Sequence, residues 1–316
     1  MAADVTPDSQ PDGDGHHDEA GSQACDGVWS VGHLEAIIDR RLRILLPGPG
    51  EPPQLLHMAM GYSLLAAGKR MRPMLALLTS FHFGRRDLLT LDFGCAIEMV
   101  HAASLVMDDL PAMDDAQLRR GKPTAHREFG VDIALLSSIA LLNRAFGVVS
   151  AAQGVPADAR IRMVGLLAEA VGSRGLVGGQ VMDLRLRSGG MGQRDLERLN
   201  GMKTGALFVA ASKAGAIVAG ASEESIDIVE QLACELGLAF QIADDILDSA
   251  QFAGKTGKDT GKDLSKPTLG SVLGREGAQE LFHGHATRCR ELLAAIGAER
   301  APLGTFVEQC LAQAQL

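Results

Sequence analysis

Two clusters of aspartate are the residues best equipped for chemistry in this 316-residue chain. The first runs Asp108-Asp109-Leu110-Pro111-Ala112-Met113-Asp114-Asp115 and closes an apolar stretch from Cys95 to Met107. The second, Asp244-Asp245-Ile246-Leu247-Asp248, closes the apolar stretch from Leu232 to Ala243. Asp244 and Asp248 are four apart. On a helix they share a face, where two carboxylates repel unless a cation sits between them. Asp108 and Asp114 are six apart with Pro111 between them. The proline should break helical hydrogen bonding and let the chain bulge, returning Asp114 towards Asp108. Oxygen ligands of this kind suit Mg²⁺, which keeps several waters and takes carboxylates together with phosphate oxygens. One such cluster alone is compatible with a solvated acidic helix end. Two of them, each at the dipole-disfavoured end of an apolar helix and each followed by a basic loop, point to a metal–phosphate site.

Cations alternate with these acids along the chain. Gly68-Lys69-Arg70-Met71-Arg72-Pro73 places three at a helix junction, and Arg119-Arg120-Gly121-Lys122-Pro123 places three more after the first cluster. Lys203-Thr204 interrupts an apolar helix, and Lys255, Lys258, Lys262 and Lys266 stud the loop after the second cluster. Arginine offers a planar fork to phosphate oxygens and lysine a point charge. The alternation suits two anionic groups, one held through metal and one held directly. His101 lies seven residues before Asp108 on the same helix face, aimed either at the site or into the core. There is no HExxH, no Ser-His-Asp arrangement and no glycine-rich nucleotide loop.

What must hold these residues is a set of helices. Residues 29–46, 54–67, 73–83, 88–109, 131–150, 157–187, 193–218, 223–248, 268–296 and 301–314 carry apolar residues at helical spacing. No alternating segment of useful length occurs, so the spacing predicts one all-α domain over residues 29–316. Its longest irregular stretches, 110–130 and 249–267, directly follow the aspartate clusters, where functional loops belong.

Composition narrows the function. Aromatic residues are only 4%, and the apolar mass of Ala, Leu, Val, Ile and Met favours helix over strand. Of the 39 acids, seven fall in residues 1–28, a segment without Lys or Arg that reads as a disordered acidic tail. The body is thus nearly neutral and presents no basic surface for nucleic acid. Five scattered cysteines without CxxC spacing fit free thiols in a reducing cytoplasm. No long apolar run is free of charges and helix breakers, so no membrane span is expected.

The segment HAASLVMDDLPAMDDAQLRRGKPTAH, residues 101–126, resembles the first aspartate-rich motif of the trans-isoprenyl diphosphate synthases. FQIADDILD at 240–248 resembles the second, and GKRMRP at 68–73, LVGGQ at 176–180 and Lys203-Thr204 match the family in order. The wording around the first motif is most similar to bacterial carotenoid-pathway geranylgeranyl diphosphate synthases. The resemblance implies an isoprenoid synthase-type helical bundle around a central cavity, usually a homodimer. It also implies two or three Mg²⁺ ions, with Asp108, Asp114, Asp244 and Asp248 as metal ligands and Asp109 and Asp245 beside them. Arg119, Lys203 and Lys258 would hold the allylic diphosphate, with Thr204 and Gln241 lining its site. Lys69, Arg72, His101 and Arg120 would hold isopentenyl diphosphate.

The implied reaction is ionisation of the allylic diphosphate, attack by the isopentenyl double bond, and proton loss to the departing diphosphate. Ala103, five residues before Asp108, is small, with Met99 and Val100 one turn deeper. An aromatic side chain at 103 would form a floor at C15, so a C20 product is expected. Rival readings are a farnesyl diphosphate synthase, a class I terpene cyclase, and a non-catalytic subunit of a prenyl synthase. The second DDxxD and the scarcity of aromatics speak against the cyclase. The retained aspartates and bases speak against the inert subunit.

Overall fold

The structure, a computed structural model, describes residues 31–185, 192–252 and 268–312. The tail at 1–28 and Lys258 lie outside the described residues, as does the side chain of Asp248.

Apolar residues at i and i+4 make α1 (Val31–Leu45), which buries Leu34, Ile38, Leu42 and Leu45. It is followed by α2 (Gln54–Leu64), α3 (Met71–His82) and α4 (Leu91–Asp108). Twelve of the 18 residues of α4 are buried, as befits a central helix covered on nearly all sides. A small antiparallel hairpin, β1 (Leu118–Arg119) with β2 (Lys122–Pro123), precedes α5 (Ala125–Phe129) and α6 (Val131–Ala151). Then come α7 (Ala157–Val171), α8 (Leu176–Arg185), α9 (Gln193–Asn200), a π-turn at Gly201–Gly205, and α10 (Ala206–Ala219). The chain continues through α11 (Glu223–Phe252) and α12 (Leu269–Ala295), kinked at Gly274, to α13 (Pro302–Ala312). The fold is all-α: α4 packs on α3 and α6, α10 on α3 and α11, and α11 along α12. One apolar core runs from Leu34 to Leu311.

The single helix expected over 157–187 is broken into α7 and α8. Apolar spacing continues through the break, which is why periodicity did not reveal it. At Gly175 a Cβ would sit 2.2 Å from the carbonyl oxygen of Ala170, so the reversal there tolerates no side chain.

Two stretches, Val131–Ala151 and Gln193–Ala219, are long and apolar enough to cross a membrane by length and composition. In the fold 39% and 56% of their apolar windows are buried. Core helices meet the same length criterion.

A buried ion pair anchors α1 and α4 to the junction before α3. Arg70, at left-handed φ of 45°, bonds Asp39 at 2.8 Å and Glu98 at 3.0 Å. Arg70 and Glu98 are almost fully enclosed, whereas Asp39 is half exposed. Arg70→Ala would take from the Glu98 carboxylate its hydrogen-bonded partner, and urea unfolding should show a loss of about 3–5 kcal/mol. The double variant Arg70→Met, Glu98→Leu should recover most of that loss, because an apolar pair of similar volume is nearly neutral. Equal losses in both variants would show that the ion pair is not the source.

Candidate active site

The first aspartate cluster bends as the proline predicts. Helix α4 ends at Asp108, and the chain then loops so that the Asp114 N–H donates to the Asp108 carbonyl at 2.9 Å. Asp115 N–H reaches Leu110 O, and Ala116 N–H reaches Asp109 O. The loop is strained: Asp115 has φ 48°. The non-glycine residues at positive φ among those described are Arg70, Asp115 and Arg120, each within a segment singled out from the sequence. Such conformations cost about 1–3 kcal/mol and collect at functional sites.

Asp108 is mostly buried, and burial raises its pKa, opposed by Lys203 and reinforced by Asp114. Lys203 Nζ lies 2.8 Å from Asp183 and 3.4 Å from Asp108. Burial pulls its pKa down, but the two carboxylates outweigh that and raise it, so Lys203 is a fixed cation. It stands on the π-turn, where helical bonding widens by one residue, a feature frequent at functional sites. The same turn carries Thr204, whose hydroxyl donates to Gln241 Oε1 at 3.1 Å; Gln241 in turn donates to Asp245 at 3.2 Å. Adjacent residues of one turn thus bind the first aspartate cluster on one side and the second on the other.

Close packing explains LVGGQ. A Cβ on Gly179 would come within 2.5 Å of the Lys203 backbone nitrogen, so α8 rests directly on the π-turn. Gly179→Ala should displace Lys203 by about 1 Å, a shift that can cost about 100-fold in rate. Turnover within threefold of the unmodified chain would show that the contact is not needed.

Asp109 and Asp245, expected beside the metal ligands, have supporting positions. Asp109 is buried and accepts two-pronged bonds of 2.8–3.0 Å from Arg119. Arg119 is raised in pKa: burial lowers it, and the Asp109 bond and charge more than compensate. Asp245 accepts from Gln241 and from the backbone of Leu269 at the start of α12. Asp114 is half-buried and Asp244 exposed.

A second group of cations surrounds Glu98. Arg72 is partly buried, its Cζ 4.9 Å above the Phe208 ring, with its enclosed Nε lacking a hydrogen-bond partner. Burial lowers its pKa, which Glu98 opposes and Arg120 reinforces. His101 is partly buried; loss of solvation and then Arg72, Arg120 and Arg119 drive its pKa well below the usual range, so it is neutral near pH 7. Arg120 donates to the Ala67 carbonyl, and Lys69 is exposed at the same junction. The structure therefore brings Arg72, His101 and Arg120 within electrostatic reach of one another, with Arg119 acting on His101 as well.

Three participants escaped the sequence reading. Asp183 lies three residues beyond Gln180, one helical turn on, a signal available in LVGGQVMD. Gln180 is itself buried against Met113 of the first loop, with its Oε1 lacking a partner. Glu98 is the only charged residue of α4 between Asp92 and Asp108, and an acid buried in an apolar helix needs a cation.

Among the described residues no three His, Cys, Asp or Glu side chains converge to hold a metal unaided. The donor set nonetheless fits magnesium: Asp108 and Asp114 are paired hard carboxylates, suited to an ion that draws its other ligands from water and phosphate.

The family described as Polyprenyl synthetase matches residues 53–279. A geranylgeranyl diphosphate synthase of Pantoea ananas is 45% identical over 268 residues, covering 83% of this chain and 86% of the relative. A farnesyl diphosphate synthase of Bacillus subtilis is 38% identical over 252 residues, covering 78% of this chain and 85% of the relative. The apo crystal structure of an FPP/GFPP synthase from Zymomonas mobilis superposes with a TM-score of 0.78 at 33% identity, covering 90% of this chain and 96% of that one.

Proposed function

The chain belongs to the polyprenyl synthetase family, and on that premise we propose that it condenses isopentenyl diphosphate with dimethylallyl, geranyl and farnesyl diphosphates to give geranylgeranyl diphosphate. The observation that carries the reading is the Lys203 turn, which bonds one aspartate cluster through Lys203 and the other through Thr204 and Gln241. A farnesyl diphosphate synthase is the alternative within the family.

Magnesium bound by Asp108, Asp114, Asp244 and Asp248 would neutralise the allylic diphosphate and weaken its bond to carbon. Lys203, fixed between Asp183 and Asp108, holds that diphosphate from the opposite side, and Arg119 adds a second cation. Lys258 belongs to the same group by its place in the sequence. Arg72, Arg120, Lys69 and neutral His101 hold isopentenyl diphosphate, whose double bond attacks the allylic carbon as the diphosphate leaves. The surplus proton passes to the departing diphosphate, so no side-chain base is required. Preorganised charge of this kind supplies the main catalytic effect, and the apolar surroundings keep water from the cation.

Assembly as a homodimer is supported by Val131, Leu135, Leu136 and Ile139, which form an exposed apolar stripe on α6. Val177 and Val181 expose a shorter stripe on α8. Such faces gain by covering against a second copy. Among the described residues the four cysteines are free thiols, in keeping with a reducing cytoplasm, and the wording of the first motif supports a place in carotenoid formation.

The test is the purified chain alone with Mg²⁺, labelled isopentenyl diphosphate and each primer in turn. A C20 diphosphate is expected. A hydrocarbon made without isopentenyl diphosphate would indicate a cyclase, and no incorporation would indicate an inert subunit.

A further inference from the structure

Lys203 has two carboxylate partners where one would suffice. Its Nζ donates to Asp183 Oδ2 at 2.8 Å and stands 3.4 Å from Asp108 Oδ2. All three side chains are enclosed, with 25% of Lys203, 15% of Asp183 and 13% of Asp108 exposed. An enclosed cation needs a counter-charge, and Asp108 alone would meet that need. The second acid, nearer than the first, requires its own account.

Backbone packing delivers it. Gly179 and Asp183 are four apart on α8 and share a face. On that face α8 lies against the π-turn, where a Cβ on Gly179 would fall within 2.5 Å of the Lys203 nitrogen. The Asp183 carboxylate thus reaches Lys203 from α8, while Asp108 approaches from the end of α4. The two acids differ in duty, because only Asp108 stands in the aspartate cluster read as the magnesium site. A lysine fully paired with Asp108 would occupy its lone pairs and set a positive charge where a divalent ion must arrive.

We propose that Asp183 is a positioning residue that draws Lys203 off Asp108 and so keeps the Asp108 carboxylate open to magnesium. The proposal rests on the functional reading above. Asp183 acts on the metal through Lys203, without coordinating it. Direct coordination is the other role open to an acid in this place, and the two roles separate once Lys203 is removed.

The experiment is calorimetric titration of the full chain with an allylic thiolodiphosphate, whose carbon–sulfur bond resists ionisation, at stepped Mg²⁺ concentrations. The readout is the Mg²⁺ concentration at which affinity reaches half of its limiting value. Asp183→Asn keeps the side chain's shape and removes its charge. It should raise that midpoint about tenfold, as a charged hydrogen bond moves from residue 183 to Asp108. Asp183→Glu restores the charge and should stay within about threefold of the unmodified chain. In a Lys203→Met background, Asp183→Asn should leave the midpoint within about twofold. Thermal unfolding checks each chain, and Asp183→Ser takes the place of the asparagine variant if that chain does not fold. A midpoint unmoved by loss of the charge overturns the proposal. So does an equal rise with and without Lys203, which would make Asp183 a magnesium ligand. Absence of analogue binding by the unmodified chain at every Mg²⁺ concentration would instead strike the functional reading.

Discussion

Asp108→Asn should lower kcat about a thousandfold, equivalent to about 4 kcal/mol of transition-state stabilisation. The substitution keeps the shape of the side chain and removes only its charge. Asp108 closes α4 within reach of Lys203 and next to the loop that returns Asp114. Without its charge, Lys203 keeps Asp183 as a carboxylate partner and the first cluster loses a carboxylate that the proposed mechanism assigns to magnesium. The concentration of Mg²⁺ needed for half-maximal rate should rise with the fall in kcat. Asp109→Asn gives the contrast: that carboxylate grips Arg119, so its loss loosens the cation proposed to hold the allylic diphosphate and should cost about 10- to 100-fold. Rates and magnesium titrations for both variants, with thermal unfolding to exclude misfolding, check the ranking. An Asp108→Asn chain within tenfold of the unmodified rate would remove Asp108 from the site.

Much of this arrangement could be read from residue order. Pro111 between Asp108 and Asp114 announced the bulge, and Lys203-Thr204 in an apolar helix announced an interruption, which the fold makes as a π-turn. Both are local effects, governed by a proline ring and by a charge in apolar company. Partners brought from elsewhere were not legible. Asp183 meets Lys203 only because Gly179 lets α8 lie against the π-turn, and Glu98 meets Arg70 only because α4 crosses the start of α3. In the same way, Asp109 and Asp245 look equivalent to their neighbours in sequence. Helical rotation turns one to Arg119 and the other to the backbone of Leu269. The break between α7 and α8 was missed because apolar spacing ignores a turn made of glycines.

Product length should respond to the small side chains below Asp108. At 1.5 Å per residue, Ala103 lies about 7.5 Å from Asp108 along α4, Ile97 about 16 Å and Phe93 about 22 Å. An isoprene repeat of four chain bonds spans roughly 4–5 Å, scaled from the 3.3–3.6 Å of three bonds in an extended peptide. Moving the floor from Ile97 up to residue 103 shortens the available depth by about 9 Å, more than the single repeat that separates C20 from C15. Ile97 and Phe93 line an apolar crevice with Val149, Met163 and Ala210, on the α4 face that also carries Ser104 and Asp108. Ser104 is half-buried, and Ala103 beside it is buried at 4% exposure. A growing chain that slides down this face passes Ser104 first and ends near Ile97. Ala103→Phe should therefore shift the main product from C20 to C15, and Ser104→Phe should do the same by blocking the face directly. Ile97→Ala should deepen the crevice and allow products beyond C20. Chromatography of dephosphorylated products reads all three, and an unchanged C20 profile in both phenylalanine variants would place the hydrocarbon chain along some other wall.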